Sequence, residues 1–428
     1  MLFKNITIID DQFQVKENMY VATTEDKITY IRETCPAGDF GREYDGKGKL
    51  LMSGFVNTHA HSAMSLLRGY GENLSLQDWL NKRIFPFEDK LTGEAAYWGT
   101  MLAMAESLRY GIVSTTDMYY FAEDMLRAIE ESGTKNNYSR AVTCFSDDDM
   151  WNLASAKEMK DIYERFNGTA NGRIKIDMSI HAEYTSTPKV VKQMAEYTKE
   201  IGANMHVHLS ETQSEHEGCK EKHGMTPAQY FNSLGLFDTP TTAAHCVWLE
   251  PVDYPILKEK GVTVACNPVS NLKLASGVCN VPELLRQGIN VGIGTDSVAS
   301  NNSLNFIEEM KFFALASKGK FYDPTAVTPV ETLRAATVSG AKSQGREDCG
   351  LLKEGYKADL VVIDITGPHM YPVHDLINNL VYSASGSDVV MTMADGKVLY
   401  ENGEYKTIDI EKTLFEADRW TKNILKQL

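Results

Sequence analysis

The amino-acid sequence predicts an α/β protein in which a (β/α)8 TIM-type barrel is joined to a small β-sandwich domain built from both chain ends. Three observations support this: the chain has 428 residues, eight strand-like apolar runs alternate with helical runs, and short alternating segments occur at both ends. A barrel of about 250 residues with a smaller partner suits this length. We therefore predict the barrel at 51–350, between two parts of the β domain at 1–50 and 351–428, the last ending in a helix.

The strand-like runs determine the architecture of the middle of the chain. They are 51–57, 112–118, 140–145, 174–180, 203–209, 241–247, 262–267 and 290–295. Helical stretches such as 93–110 and 188–201 separate them. This alternation is typical of βα units. Eight such units form a barrel whose active site lies at the C-terminal ends of the strands.

The two chain ends carry a different pattern. Short alternating segments at 3–9, 19–22 and 27–31 are separated by the turns Asp10-Asp11 and Glu25-Asp26. Similar segments return at 358–364, 389–393 and 397–400, the last after Asp395-Gly396. Such patterns are typical of strands. We expect the two ends to pair into one β domain.

Composition excludes several classes of partner. The net charge of -15 argues against nucleic acid or an anionic membrane as ligand, because both need clustered Lys and Arg. The 7 cysteines are dispersed, which favours a reducing compartment over a disulfide framework. The sequence shows no signal-peptide pattern and no apolar stretch long enough for a membrane span. We expect a cytoplasmic protein with a small-molecule substrate, and a homo-oligomer is compatible with the sequence.

Metal-ligand residue types lie at the ends of several strand-like runs. His59 and His61 share one face of the first run, because side chains alternate along a strand. Taken alone, two histidines at this spacing are more often ordinary polar residues of a strand than metal ligands. His208, His245 and Asp296 lie at or just past the ends of the fifth, sixth and eighth runs, so all five residues would meet at the barrel mouth. Neutral imidazoles with one carboxylate and an open position suit catalytic Zn²⁺, which lowers the pKa of a bound water to about 7.

These residues resemble those of the amidohydrolase superfamily over nearly the whole chain. Longer motifs at 54–68, 206–212, 267–274 and 294–304 are similar to the methylthioadenosine/S-adenosylhomocysteine deaminases within it. The resemblance implies hydrolytic deamination of an adenosine-type nucleoside to the matching inosine and ammonia, by metal-activated water attacking C6 of the purine. The substrates implied are 5′-methylthioadenosine, 5′-deoxyadenosine, adenosine or S-adenosylhomocysteine.

The resemblance also implies roles for individual residues. His59, His61, His208 and Asp296 would hold one divalent metal, zinc in most relatives, with Fe²⁺ as an alternative. Glu211 and His245 would move protons, and Asp296 belongs to the catalytic set as well. His181 stands at the end of strand 4, where many dinuclear relatives carry a lysine, and this favours a single metal. His181 would contact substrate, although it could also be a polar residue that caps the barrel.

The connection after strand 1 is where the resemblance places nucleoside recognition. Trp79 would stack near the base or the 5′ substituent, and the Glu88 carboxylate would accept hydrogen bonds from both ribose hydroxyls. Alternatively, this segment is a short amphipathic helix capped by Ser75, in which Trp79 only packs. Ser300 would bond the purine edge, or instead cap a helix that starts near Asn302.

One departure from the resembling deaminases concerns the 5′ tail. Relatives that accept S-adenosylhomocysteine tend to carry an arginine after strand 3, whereas this sequence has Asp147-Asp148-Asp149 there. With strand 3 placed at 140–145, Arg140 lies at the opposite end of the barrel. We therefore expect adenosines with small or apolar 5′ groups to be better substrates than S-adenosylhomocysteine.

The sequence leaves two other hypotheses open. The same scaffold could deaminate guanine or a pterin or dechlorinate a triazine, although Trp79 with Glu88 argues against this. A non-catalytic barrel would be expected to have lost metal ligands, and this chain keeps all four.

Overall fold

A computed structural model describes residues 1–74 and 76–428. The predicted helix cap Ser75 lies outside the described residues. The model contains seventeen strands and eighteen α-helices within that range.

The strands fall into a first group of five, a middle group of eight and a final group of four. The first group is β1 (Leu2–Ile9), β2 (Val15–Thr24), β3 (Lys27–Arg32), β4 (Glu43–Asp45) and β5 (Lys49–Ser53). The middle group is β6 (Phe55–Ala60), β7 (Ile112–Met118), β8 (Lys135–Ser139), β9 (Ile174–Ser179), β10 (Met205–Leu209), β11 (Thr241–His245), β12 (Thr263–Cys266) and β13 (Val291–Ile293). The final group is β14 (Leu360–Asp364), β15 (Val389–Ala394), β16 (Lys397–Glu401) and β17 (Glu404–Tyr405).

The helices mostly follow the barrel strands. They are α1 (Leu76–Trp79), α2 (Phe85–Glu88), α3 (Gly93–Arg109), α4 (Ala122–Ser132), α5 (Ala154–Phe166), α6 (Thr169–Gly172), α7 (Pro188–Ile201), α8 (Gln213–His223), α9 (Pro227–Ser233), α10 (Asp253–Glu259), α11 (Pro268–Lys273), α12 (Val281–Gln287), α13 (Val298–Asn301), α14 (Phe306–Phe321), α15 (Pro329–Ala336), α16 (Val338–Ser343), α17 (Leu376–Tyr382) and α18 (Ile410–Leu425). A π-helical turn, Leu80–Ile84, joins α1 to α2. Short 3-10 turns lie at Ser62–Leu67, Met150–Asn152, Glu183–Thr185, Leu236–Asp238, Pro368–Met370 and Gly386–Asp388.

The predicted barrel and the β domain from both chain ends are confirmed. Strands β6 to β13 run parallel in sequence order, and a parallel bridge between Ala60 and Asp296 brings the first strand to the last. The second sheet has nine strands in the order β17-β16-β15-β14-β5-β1-β2-β3, with β4 paired to β1. Because the antiparallel pairing of β5 with β14 joins the chain ends, the small domain is continuous in space but not in sequence. The exact boundaries at 50 and 350 stay a prediction.

Predicted strand 1 was wrong because it merged two strands. The mostly apolar run at 51–57 predicts one strand, yet it contains the end of β5 in the small sheet and the start of β6 in the barrel. Gly54 separates them, and a Cβ at this position would lie 2.4 Å from the Val113 side chain. The chain therefore changes sheets where only glycine fits.

Predicted strand 3 was also wrong, and this error affects the site. The strand is Lys135–Ser139 rather than 140–145, and all five of its residues are buried despite their polarity. Lys135 pairs with Asp359 of the small domain, and the Asn137 amide donates to Asp177 at 3.0 Å. These internal partners offset the burial of polar groups, which an apolar-run criterion cannot detect. Arg140 therefore follows the strand at its C-terminal end.

Side-chain caps fix where several barrel helices begin. Thr187, Thr226 and Thr328 each accept a hydrogen bond from the third residue of a helix that begins with proline. Such caps satisfy backbone N–H groups that lack partners in the first turn. Among the described residues, none of the helices is both long and apolar enough to cross a membrane.

Candidate metal centre and active site

Four candidate metal ligands converge at the C-terminal ends of β6, β10 and β13. The Oδ1 atom of Asp296 lies 3.5 Å from the Nε2 of His59 and 3.4 Å from the Nε2 of His61. The His59 and His208 ring centroids are 4.9 Å apart and the rings are nearly perpendicular. The geometry thus brings together the four residues that the sequence predicted.

The outer nitrogen of each imidazole has a partner that fixes the ring. Nδ1 of His61 lies 2.5 Å from the Met118 carbonyl oxygen, and Nδ1 of His208 lies 2.9 Å from the His181 carbonyl oxygen. Nδ1 of His59 lies 2.9 Å from Nε2 of His206. Such partners are typical of metal-ligating histidines, because they set the tautomer and leave Nε2 free to coordinate.

The donor set fits a divalent cation. Nε2 of His59 is buried and has no hydrogen-bond partner among the described residues, a state that costs free energy unless another ligand satisfies it. Burial lowers the pKa of His59 to about 3, so its imidazole is neutral. Although burial opposes ionisation, the close approach of His59 and the electrostatic interaction with His245 hold the pKa of Asp296 well below its usual range. Neutral imidazoles and an ionised carboxylate are the forms that bind Zn²⁺.

The second carboxylate oxygen of Asp296 is held by two hydroxyl groups. Ser270 donates to Oδ2 at 2.5 Å and Ser300 donates at 2.9 Å. The alternative role of Ser300 as a cap was wrong, because Asn305 caps α14 and Ser297 caps α13. Ser300 also lines the cavity described below, and its contact with the purine stays a prediction.

Glu211 and His245 face each other beside the candidate ligands. Nε2 of His245 lies 3.7 Å from Oε2 of Glu211, and Nδ1 of His245 lies 2.8 Å from the Asn271 side-chain oxygen. Burial raises the pKa of Glu211 to about 7. His245 and Asp296 both have positive φ angles, of 73° and 59°, and such backbone strain clusters at functional sites.

A cavity that is open to solvent lies above this cluster. Its lining includes every predicted site residue except His59, which lies buried beneath it. Its mixed apolar and polar wall suits a ligand with both a base and polar hydroxyl groups, such as a nucleoside. His181 lies on the wall, with its ring centroid 4.6 Å from that of His208.

The far end of the cavity carries Trp79 and Glu88. Oε1 of Glu88 accepts a 2.6 Å hydrogen bond from the Tyr119 hydroxyl, a partner that the sequence did not reveal. Burial raises the pKa of Glu88 to about 7. Trp79 is 5% exposed and lines the same space.

The position of Arg140 corrects the prediction about the 5′ tail. Because β8 ends at Ser139, Arg140 stands directly after strand 3 and lines the cavity. Its Nε donates to Glu158 at 2.9 Å, and its guanidinium lies 4.7 Å from the Tyr120 ring centroid. The third strand was predicted at 140–145 because the apolar residues after Arg140 resemble a strand. They in fact follow the strand β8.

The three aspartates that were expected to repel a substrate carboxylate lie elsewhere. Asp147 is exposed, Asp148 accepts from the Asn152 amide at 2.8 Å, and Asp149 caps the turn Met150–Asn152. None of the three lines the cavity. The predicted repulsion therefore has no structural basis.

Two residues without a predicted role lie in an outer layer. Besides contacting His59, His206 has Nδ1 3.4 Å from the Ser139 hydroxyl and is completely buried. Asp117 is also buried, and its Oδ1 accepts from the backbone N–H of Ser62 at 3.0 Å. Both residues support the segments that carry His59 and His61.

The chain is similar in sequence to proteins of known family. The sequence model of the amidohydrolase family matches residues 50–399. The 5-methylthioadenosine/S-adenosylhomocysteine deaminase of Thermoanaerobacter pseudethanolicus is 40% identical, with 100% of both chains covered. The 5′-deoxyadenosine deaminase of Methanosarcina mazei is 40% identical over 90% of this chain and 88% of that protein.

A similar solved structure carries the same architecture. It is an adenosine deaminase from Xanthomonas campestris with bound zinc, which superposes with a TM-score of 0.93. The match covers 99% of this chain and 98% of that one, at 28% identity.

Proposed function

Because the chain belongs to the amidohydrolase family, we propose that it is a metal-dependent deaminase that converts adenosine-type nucleosides to the matching inosines and ammonia. One observation carries this proposal: three of the four candidate ligands and Glu211 line the same cavity as the ribose-binding candidate Glu88. Relatives of 40% identity that are named as deaminases of methylthioadenosine, S-adenosylhomocysteine and 5′-deoxyadenosine support the choice of substrate class.

His59, His61, His208 and Asp296 would hold one divalent metal, with zinc favoured by the donor set. When bound, the metal would supply Lewis-acid activation of a water molecule at neutral pH. Ser270 and Ser300 keep the carboxylate of Asp296 aimed at the site through their hydrogen bonds to Oδ2.

Glu211 would take a proton from the attacking water and pass it to a ring nitrogen of the purine. A carboxyl group with a pKa of about 7 can both accept and donate a proton near neutral pH, which suits this double role. His245, held by Asn271, would orient the water and stabilise negative charge on the attacking oxygen. His181 and Ser300 would contact the base.

Glu88 would accept hydrogen bonds from the ribose hydroxyls, while Trp79 packs against the nucleoside. Tyr119 already donates to one oxygen of Glu88 and keeps the carboxylate at the cavity wall. A free base would leave this buried carboxylate without its ribose partners, and such unpaired groups disfavour binding.

The tail of the substrate extends toward Arg140 in this proposal. Because Arg140 stands at the cavity wall and Asp147 to Asp149 do not, a carboxylate tail gains a cation instead of meeting repulsion. We therefore propose S-adenosylhomocysteine as a substrate alongside methylthioadenosine, and no longer rank it below the nucleosides with small 5′ groups.

An assay of ammonia release, with chloride release measured for a chlorinated triazine, tests the proposal directly. The panel contains methylthioadenosine, 5′-deoxyadenosine, adenosine, S-adenosylhomocysteine, adenine, guanine, a pterin and a triazine. We expect the four nucleosides to be deaminated and adenine to be inert. Preferred turnover of guanine, a pterin or a triazine would instead support the other amidohydrolase reactions. Cytoplasmic location and homo-oligomer formation stay predictions, which fractionation and sedimentation would test.

A further inference from the structure

Two glutamates, the buried Glu183 and the partly buried Glu215, join the loops that follow β9 and β10. Glu183 lies two residues after His181 and is 2% exposed. Glu215 lies in the first turn of α8, four residues after Glu211. Neither residue lines the catalytic cavity, and neither has a part in the proton transfers described above.

One oxygen of Glu215 anchors the backbone that carries Glu211. Oε2 of Glu215 accepts from the backbone N–H of Glu211 at 2.7 Å and from that of Thr212 at 3.3 Å. Thr212 in turn accepts from the N–H of Glu215, which completes a capping box at the start of α8. The position of the Glu211 backbone thus depends on Glu215.

Each of the two carboxyl groups also has one buried oxygen that receives no hydrogen bond within the described part of the chain. These oxygens are Oε1 of Glu215 and Oε2 of Glu183. The two carboxyl groups contact each other. Two facing carboxylates would repel, whereas one proton between them makes a strong O–H···O bond.

The environment of Glu183 and Glu215 favours retention of one proton by the two carboxyl groups. Titratable groups around the pair, among the described residues, include Tyr184, Glu211, Cys219, Tyr230, His245 and Cys246. Lys222 and His223 line the surface pocket beside it. Lys220, on the same helix, pairs with Glu217 and Glu250 instead. Burial raises the pKa of Glu183, and the charge of Glu215 raises it further.

We propose that Glu183 and Glu215 share one proton at neutral pH, and that this bond ties the strand-4 loop to the strand-5 loop and positions Glu211 for catalysis. Both are positioning residues, because they act through the backbone of Glu211. Their effect on turnover rests on the deaminase function proposed above. Loss of the shared proton at alkaline pH leaves two facing carboxylates, which separates the loops and displaces Glu211.

Glutamine substitutions test the bond, because an amide N–H replaces the shared proton with one that does not titrate. In Glu183→Gln the new amide donates to Glu215, and in Glu215→Gln it donates to Glu183 while the amide oxygen still accepts from Glu211. We expect both variants to keep kcat within about threefold at neutral pH. We also expect them to lose an alkaline decline of kcat that amounts to about tenfold per pH unit in the unmodified protein.

Two further variants make the comparison specific. Glu183→Ala removes the partner without replacing the proton, and we expect kcat at neutral pH to fall about tenfold. Cys219→Ser changes a neighbouring buried titratable group and should leave the alkaline decline in place. An unchanged alkaline decline in both glutamine variants would overturn the proposal, because it would assign the titration to another group such as His245.

An infrared measurement tests the pair without using activity. The carbonyl band of a protonated carboxyl group should be present at neutral pH and missing from Glu183→Gln in a difference spectrum. Absence of that band from the unmodified protein would refute the shared proton. If the band is present but no nucleoside is deaminated, the result supports the shared proton and refutes the proposed deaminase function.

Discussion

The two ends of the catalytic cavity are built in different ways. At the metal end, His59, His61 and His208 stand on or next to barrel strands, whose backbone hydrogen bonds fix their positions. At the nucleoside end, Trp79 and Glu88 stand on short helical segments of four or five residues. The barrel strands therefore position the metal-binding residues. The connections after the strands tolerate sequence change and determine which substrate is bound. Substitutions at the metal end should affect kcat most, and those at the nucleoside end should affect KM.

The largest effect is expected at Asp296. Asp296→Ala removes the carboxylate that lies between His59 and His61, so the variant should lose metal and at least about 10³-fold in turnover. Metal analysis and kcat on methylthioadenosine measure both. Ser300→Ala is the matched control: it removes one hydrogen bond to Asp296 and should retain metal with about a tenfold loss. About two metals per chain in active protein would contradict the single-metal site.

Glu211 is the next test of the metal end. Glu211→Gln keeps the shape of the side chain but cannot accept the proton, so kcat should fall about 10²-fold or more with metal content and substrate binding unchanged. Near-normal turnover would remove Glu211 from the mechanism. His245→Ala should also lower kcat with metal retained, and loss of metal would make His245 a ligand.

Arg140 tests the nucleoside end with two substrates. Arg140→Leu should raise KM for S-adenosylhomocysteine about tenfold and leave KM for methylthioadenosine unchanged, because only the first carries a carboxylate tail. Glu158→Gln is the control, since it removes the negative partner of Arg140 and keeps the guanidinium. Equal effects of Arg140→Leu on both substrates would mean that Arg140 supports the wall and does not bind the tail.

The smallest effect concerns the pH dependence of binding. The pKa of Glu88 is raised to about 7, so its carboxylate gains a proton as pH falls through that value and accepts hydrogen bonds from ribose hydroxyls less well. KM for adenosine should therefore rise about threefold from pH 8 to pH 6. In Glu88→Gln, KM should be higher throughout and lack this dependence, and a pH-dependent KM in that variant would assign the titration to another group.

The sequence by itself determined the barrel, the β domain from both chain ends and the identity of the converging site residues. Histidines two apart on a strand share a face, and parallel strands of a barrel end at one mouth. Periodicity and strand order alone therefore bring His59, His61, His208, His245 and Asp296 together. The long motifs that carried the resemblance also pointed to Glu211, Trp79 and Glu88.

The tertiary structure decided what depended on buried polar groups and on contacts between distant loops. Strand β8 was missed because Lys135 and Asn137 are polar, and only their partners in other elements make their burial favourable. Because of that error, Arg140 was predicted at the opposite end of the barrel from the cavity. A cation that could bind the 5′ tail of the substrate was therefore overlooked. Likewise, the Ser270 hydroxyl on Asp296 and the contact between Glu183 and Glu215 join residues from different loops. No local periodicity encodes such pairs, because their distances are set only when the barrel closes.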